Sequence, residues 1–166
     1  DHGDSLGEGG RWGHSYWMFR EILRVPLMIH LPVGMQHGLT TNPKSVAFTT
    51  DITPTLYYLL GGRPIARNPI FGRPLITTTA KEHDEYLQRS YLVVSSYGPV
   101  YGILGDEGRS LFISDAVNRT SYFFNLEEDP KATRNRLTPP IQSDNEKLIR
   151  DTVESINRFY KVGDNR

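Results

Sequence analysis

The sequence predicts an α/β segment followed by a C-terminal α+β subdomain, the second part being a four-stranded antiparallel sheet closed by a terminal helix. Three observations carry this. A short, nearly continuous apolar run, Leu27-Met28-Ile29-His30-Leu31, sits between Pro26 and Pro32, the pattern of a strand buried on both faces in a parallel sheet. Four β-rich runs follow further on at close spacing, separated by turn residues. Ile149, Val153, Ile156 and Tyr160 then recur at helical spacing near the end.

In chain order, residues 1–10 are dense in Gly and carboxylates and read as a loop. Ser5 and Glu8 have capping-box spacing, but Gly7, Gly9 and Gly10 oppose a long helix after them. Tyr16-Trp17-Met18-Phe19 leads into the apolar run, and a loop spans Pro32 to Pro43. A helix is expected within residues 51–61: Thr53 can cap it, Pro54 suits its first position, and Gly61-Gly62 can stop it. Leu56, Leu59 and Leu60 fall on one side of that helix. Residues 61–79, with Pro64, Pro69 and Pro74, read as a connector. The four β runs are 91–95, 100–104, 110–114 and 121–125, with turns at Tyr97-Gly98-Pro99, 105–108 and 115–120, an antiparallel meander. The terminal helix is expected to start at Ser143, with Glu146 as its box partner. The domain division is therefore 1–80 and 81–166.

Charge and composition narrow the chemistry. Nineteen Lys+Arg balance nineteen Asp+Glu, so no electrostatic footprint for nucleic acid is present. There is no cysteine, which removes disulfides, Cys-ligated zinc, iron–sulfur clusters and thiol nucleophiles from this chain. No apolar run reaches the ~20 residues of a membrane span. The chain opens on Asp1-His2-Gly3 with no initiator Met and no leader, as expected of a piece of a longer protein. Asp1 and His2 are both competent ligands for a divalent ion, and Gly3 allows a turn after them. Two ligands fall short of the four zinc takes or the six to eight of calcium. Asn118-Arg119-Thr120 matches a glycosylation sequon in a turn. His30, His37 and His83 are expected in bland structural or surface roles.

The run DHGDSLGEGGRWGHSYWMFREILRVPLMIHLP, then TTDITPTLYYLLGG, FGRPL and YFFNLEEDP, resembles in order the sulfatase family of the alkaline phosphatase superfamily. That resemblance implies an alkaline-phosphatase-like α/β remnant over residues 1–80. It also implies a metal-dependent hydrolase of sulfate esters, and a periplasmic or extracellular location. It makes Asp1 and His2 metal ligands, for calcium first, with zinc or manganese as alternatives. The position of the sulfate-contacting lysine falls on His14, which becomes the catalytic and substrate-binding candidate, with Arg11 as a second substrate contact. Glu8 is the candidate to orient His2 or His14 by a hydrogen bond. The substrate implied is a small-molecule or glycan sulfate ester.

His14 also departs from the sulfatase pattern. Histidine has an unperturbed pKa of about 6.5 and can donate, accept or bind metal. Phosphoethanolamine transferases of the same superfamily resemble this chain in D-H-G-x-S-L-G-E with a later His, so a phosphoethanolamine- or phosphoglycerol-type transferase, or a phosphodiesterase, is the alternative. A non-catalytic interaction module over residues 88–160 is the second alternative. The Cys/Ser-x-Pro-x-Arg nucleophile motif of sulfatases, and the threonine nucleophile of the transferases, lie upstream of an Asp-His-Gly segment. The isolated chain is therefore expected to be inactive, and its sheet edge, residues 22–32, is expected to favour self-association.

Overall fold

The computed structural model of the chain describes residues 1–14, 18–42, 45–64, 72–86 and 90–161. It forms two compact units: Asp1–Pro26 together with Arg89–Arg166, and Leu27–Gln88. The expected aromatics Tyr16 and Trp17, and Pro43 and Pro69 of the expected loop and connector, lie outside the described residues.

The first unit is built on the antiparallel meander. Its strands are β5 (Tyr91–Val94), β6 (Val100–Gly105), β7 (Ser110–Asp115) and β8 (Thr120–Asn125), hydrogen-bonded in the order β5-β6-β7-β8. Each run matches its expected span to within a residue at either end. The period-two alternation of a strand divides their side chains between two cores. Val93, Val100, Leu104, Leu111, Ile113, Tyr122 and Phe124 face one side, where Met18, Phe19 and Leu23 of the N-terminal segment pack. Leu92, Tyr101, Ile103, Phe112 and Phe123 face the other, against Ile149 and Val153 of the terminal helix. Both faces of the sheet are thus covered, by segments from opposite ends of the sequence.

That helix, α4, runs Pro139–Lys161, four residues longer at its start than expected. Gln142 N–H donates to the Thr138 carbonyl at 2.9 Å, which makes Thr138 the capping position. Pro139 and Pro140 then occupy the first turn, where an N–H has no partner inside the helix anyway. The two prolines thus mark the start of the helix. Glu146 bonds not Ser143 but Gln142, whose Nε2 donates to it at 2.8 Å. The Tyr160 side chain lies outside what the structure describes.

The N-terminal part of this unit contains the short strands β1 (Ser5–Leu6) and β2 (Trp12–Gly13) and one turn of helix, α1 (Arg20–Leu23). Residues Glu8–Gly10 form a single 3-10 turn, so the glycines do exclude a long helix.

The second unit holds β3 (Thr40–Thr41), β4 (Ile76–Thr77), α2 (Ile52–Leu59) and α3 (Ala80–Glu85), with β3 and β4 paired antiparallel. The run Leu27–Leu31 corrects the expectation of a buried strand. Among the described residues it has no strand partner, and Met28 is 91% exposed. A doubly buried strand needs neighbours on both edges and layers on both faces, and none is arranged around this run within its own unit. Helix α2 starts earlier than expected: the Asp51 carboxylate, not Thr53, accepts the Phe48 N–H at 2.8 Å and the Arg73 N–H at 2.9 Å. Its buried face is Pro54, Thr55 and Tyr58, whereas Leu60 is 86% exposed and Leu56 is exposed as well. The stop is as expected. Gly61 has φ 89°, its N–H donates to Tyr58, and Gly62 N–H donates to Tyr57, the paired bonds of a Schellman end. Strand β4 interrupts the expected connector, and helix α3 follows directly after it. Thr79 caps α3 by accepting the Glu82 N–H at 3.1 Å, a Thr-x-x-Glu signal that the sequence carried openly.

Candidate active site

The β1–β2 hairpin brings the chemistry-bearing residues together. Its register pairs Ser5 with Gly13 and Leu6 with Trp12, so the next opposed pair outward is Asp4 and His14. The turn closes through Gly7 N–H to the Arg11 carbonyl at 2.9 Å and Arg11 N–H to the Glu8 carbonyl at 3.0 Å. As a result His14 Nδ1 lies 2.6 Å from Asp4 Oδ1. A carboxylate oxygen only accepts, so Nδ1 carries the proton and Nε2 is left for other partners. His2, two residues before Asp4 on the same side of the extended chain, packs its ring on His14 with centroids 4.2 Å apart. Tyr97 from the β5–β6 turn lies 6.2 Å from the His14 ring.

Helix α1 anchors this edge. Gly3 N–H donates to the Ile22 carbonyl at 2.8 Å, and a Cβ on residue 3 would lie 2.1 Å from the Glu21 carbonyl oxygen. Only glycine lets the backbone between His2 and Asp4 come so close. Glu21 then ties three segments together: Ser5 Oγ donates to its Oε1 at 2.9 Å, and Arg11 donates from Nε at 3.0 Å and Nη2 at 2.8 Å. Burial pushes the Glu21 carboxyl up, but hydrogen bonds from its own backbone, Arg11 and Ser5, with the Arg11 charge, outweigh it and hold it below the usual range. The Arg11 guanidinium also sits 3.8 Å from the Phe19 ring centroid.

These contacts locate each sequence candidate. His2 packs its ring on His14 beside the hairpin, and Asp1 lies next to His2. Arg11 is engaged by Glu21 and Phe19. Glu8 bonds neither histidine: its Oε2 accepts the Leu6 N–H at 2.5 Å and braces the turn, and Ser5 gives its hydroxyl to Glu21, so the two form no capping box. The carboxylate on an imidazole is Asp4, which sequence reading passed over, although its pairing with His14 follows from a hairpin centred on the Gly-rich turn. Trp12 is exposed, while Phe19 is buried in the core.

Asp1 and His2 also have the form of a ligand pair. His2 Nδ1 lies 3.0 Å from the Gly3 carbonyl oxygen, which can only accept, so the neutral ring presents its Nε2 lone pair outward. The Asp1 side chain is 95% exposed, and its Oδ1 is 3.9 Å from His2 Nε2, a gap that one ion with bonds of about 2.0–2.6 Å can bridge. Among the described residues no cluster of three or more His, Asp or Glu side chains converges as a metal site. The pair fits part of a coordination sphere.

In the second unit the sequence missed a buried polar group. His83, expected in a bland structural or surface role, lies on α3 and is 3% exposed, and neither ring nitrogen has a hydrogen-bond partner among the described residues. Arg73 is buried too, donating to the Val46 carbonyl at 2.9 Å while its Nε and Nη1 are unpartnered. His30 and His37 are exposed. In the first unit Asn118 sits in the β7–β8 turn, with its Nδ2 donating to Asp115 at 2.7 Å. No described helix is long and apolar enough to cross a membrane.

No family model matches the chain. It is similar to the choline-sulfatase of Rhizobium meliloti (strain 1021), with 34% identity over 142 residues, covering 84% of this chain and 26% of that protein. A 65-residue stretch, 37% of the chain and 15% of the relative, is 42% identical to the low-salt glycan biosynthesis sulfotransferase Agl7 of Haloferax volcanii. Among solved structures, the fold resembles a candidate sulfatase from Bacteroides thetaiotaomicron VPI-5482, with TM-score 0.62 and 18% identity over 96% of this chain and 36% of that one. It also resembles a protein solved with its substrate D-glucosamine-2-N,6-O-disulfate, with TM-score 0.57 and 20% identity over 99% of this chain and 33% of that one. The chain thus spans between about a quarter and a third of the sulfatase relatives it matches along most of its length. Together these place it in the sulfatase family of the alkaline phosphatase superfamily, as the counterpart of one portion of longer sulfatases.

Proposed function

We propose that this chain supplies one side of the catalytic centre of a metal-dependent sulfatase-like hydrolase of sulfate esters, and is inactive alone. The observation that carries the reading is the packing of the His2 ring on His14, with centroids 4.2 Å apart beside the β1–β2 hairpin, and the Asp1 Oδ1 3.9 Å from His2 Nε2. In that reading Asp1 and His2 hold a divalent ion, calcium first and zinc or manganese otherwise. The ion's chemistry is Lewis-acid neutralisation of the charged ester oxygens. His14, with its Nδ1 proton held on Asp4, faces the ester through Nε2; as the doubly protonated imidazolium it gives the Nε2 proton to the leaving oxygen and is left as the neutral Nδ1–H ring. Arg11 supports that function by fixing the hairpin through Glu21 and adds its charge to the anion's surroundings.

No Ser-x-Pro-x-Arg motif and no cysteine occur in the sequence, so the nucleophile comes from elsewhere in a longer protein. The domain division at residue 80 belongs to that parent: residues 1–80 as part of its α/β catalytic domain, residues 81–166 as its C-terminal subdomain. A sulfated small molecule or glycan is the proposed substrate, and a periplasmic or extracellular site the proposed location. The exposed run Leu27–Ile29, rather than Ile22 and Leu23, which pack inside the first unit, is the surface through which an isolated chain would self-associate.

The test is sulfate-ester hydrolysis by a protein of full sulfatase length carrying this sequence. Activity lost on chelation and in Asp1→Ala and His2→Ala, with none in the 166-residue chain, is the expected result. Hydrolysis by the chain alone would overturn it. One observation favours a second reading, phosphoryl transfer: histidine at position 14 where sulfatases resemble one another in a lysine. Faster turnover of phosphate than of sulfate esters by the same protein would select it.

A further inference from the structure

The orienting partner expected for an active-site histidine on this hairpin was Glu8, yet Glu8 is occupied by the Leu6 N–H. We infer that Asp4 is the positioning residue for His14, holding its imidazole in the Nδ1–H tautomer so that Nε2 faces the substrate. The inference rests on the proposed function for its catalytic consequence, but its geometric content stands by itself.

Four features carry it. The Asp4–His14 contact is 2.6 Å, in the range of a strong charge-assisted bond. It lies one position beyond the Ser5–Gly13 pair, where the β1–β2 register sets Asp4 opposite His14. The His2 ring packs on His14 at 4.2 Å and restricts rotation of the imidazole. Gly3, between His2 and Asp4, is locked to α1 through the Ile22 carbonyl, so both side chains leave a backbone that cannot drift. A free histidine side chain prefers the Nε2–H tautomer, which would set the Nδ1 lone pair against the Asp4 carboxylate oxygen. The carboxylate on Nδ1 reverses that preference and, once Nε2 gains a proton, stabilises the charged ring. Arg11, the nearest arginine in sequence, is occupied by Glu21 and does not compete for Asp4.

Two measurements test this separately from the sulfatase reading. The first is nitrogen-15 NMR of the histidine side chains in the intact chain, with His14 assigned by comparison with His14→Gln. The expected result is a protonated Nδ1 on His14, lost to the Nε2–H form in Asp4→Ala and retained in Asp4→Asn, whose Oδ1 still accepts. An Nε2–H His14 in the wild type, or no change in Asp4→Ala, overturns the inference whatever the enzyme does. The second uses the longer protein. Asp4→Ala should lower kcat by about 10–100-fold, with KM within a factor of about two and metal content unchanged. Combined with His14→Gln it should add nothing further, because one residue acts through the other. Additive losses, or a fall in metal content instead of kcat, overturn the positioning role. A correct tautomer in a protein without sulfate-ester activity would instead refute the sulfatase reading and leave the Asp4–His14 link standing.

Discussion

Arg11 places two donors, Nε and Nη2, on a single carboxylate oxygen of Glu21, at 3.0 and 2.8 Å, with both side chains more than four-fifths buried. This pair joins the hairpin to α1. Glu21→Gln keeps the shape and removes the charge, and should cost about 1.5–3 kcal/mol, the range for hydrogen bonds to charged groups. The sign with pH follows from the lowered Glu21 carboxyl. Its stabilisation is present above the ordinary glutamate range near 4.5 and disappears as pH falls through the lower folded value. Urea unfolding of wild type and variant at pH 7 and again near pH 3 checks this. The gap between them should narrow in acid, and an equal gap at both values would contradict it.

Phe112 is fully buried at the centre of β7, directly opposite Ile103 on one side and Phe123 on the other. It points toward α4, where Ile149 completes the cluster. Phe112→Ala should destabilise the first unit by about 3–5 kcal/mol and loosen α4 before the meander. Amide exchange along 139–161 should accelerate more than along 100–125. Uniform acceleration would mean that α4 and the sheet open as one body.

What could be read in advance divides along physical lines. The meander was legible because strand alternation and turn residues are local signals, and the backbone pairing they specify is between neighbours in sequence. Leu27–Leu31 was misread because its apolar continuity describes an environment, and that environment is not supplied within its own unit. The same holds for α2: Leu56, Leu59 and Leu60 share one side of the helix, yet Leu56 and Leu60 are exposed and Thr55 and Tyr58 are buried. At the site, Asp1 and His2 were singled out by their chemistry and His14 by the family resemblance. Asp4 was passed over because its bond to His14 comes from the hairpin, and Glu8, chosen to orient an imidazole, instead has its carboxylate on the Leu6 N–H.

His83 predicts an acid-sensitive second unit. Burial, and then the charge of Arg73, hold its pKa below 6.5, with Asp84 opposing weakly. Unfolded histidine titrates near 6.5, so below that pH the unfolded chain gains a proton that the folded unit resists. Stability is full above about pH 6.5 and falls with pH until the folded value is passed, by at most about 1.4 kcal/mol per pH unit for one proton. Asp51, whose carboxyl burial raises from 3.8, contributes with the opposite sign at lower pH. Amide exchange of residues 72–86 between pH 7 and 5, corrected for intrinsic rates, should show the fall, and His83→Leu should remove it. A flat wild-type profile, or an equal slope in the variant, would refute the assignment.

Gly3 links the fold of the first unit to the proposed ligand pair, Asp1 and His2. Its N–H bond to Ile22 fixes where Asp1 and His2 stand, and a methyl group there would meet the Glu21 carbonyl oxygen at 2.1 Å. That oxygen belongs to a helical backbone and cannot swing aside as a side chain would. Gly3→Ala must therefore lift the N-terminal segment away from α1. The four-stranded sheet, whose cores use Phe112, Leu111 and Ile149, does not include residue 3 and should survive. In a protein of full sulfatase length, Gly3→Ala should weaken calcium binding by about 10–100-fold while amide protection along 91–125 stays at wild-type values. Calorimetric titration with calcium, beside exchange on the same sample, measures both. Wild-type affinity in the variant would mean that residues 1 and 2 are placed by something other than the Gly3 anchor, and lost protection in the sheet would mean that α1 and the meander are one cooperative unit.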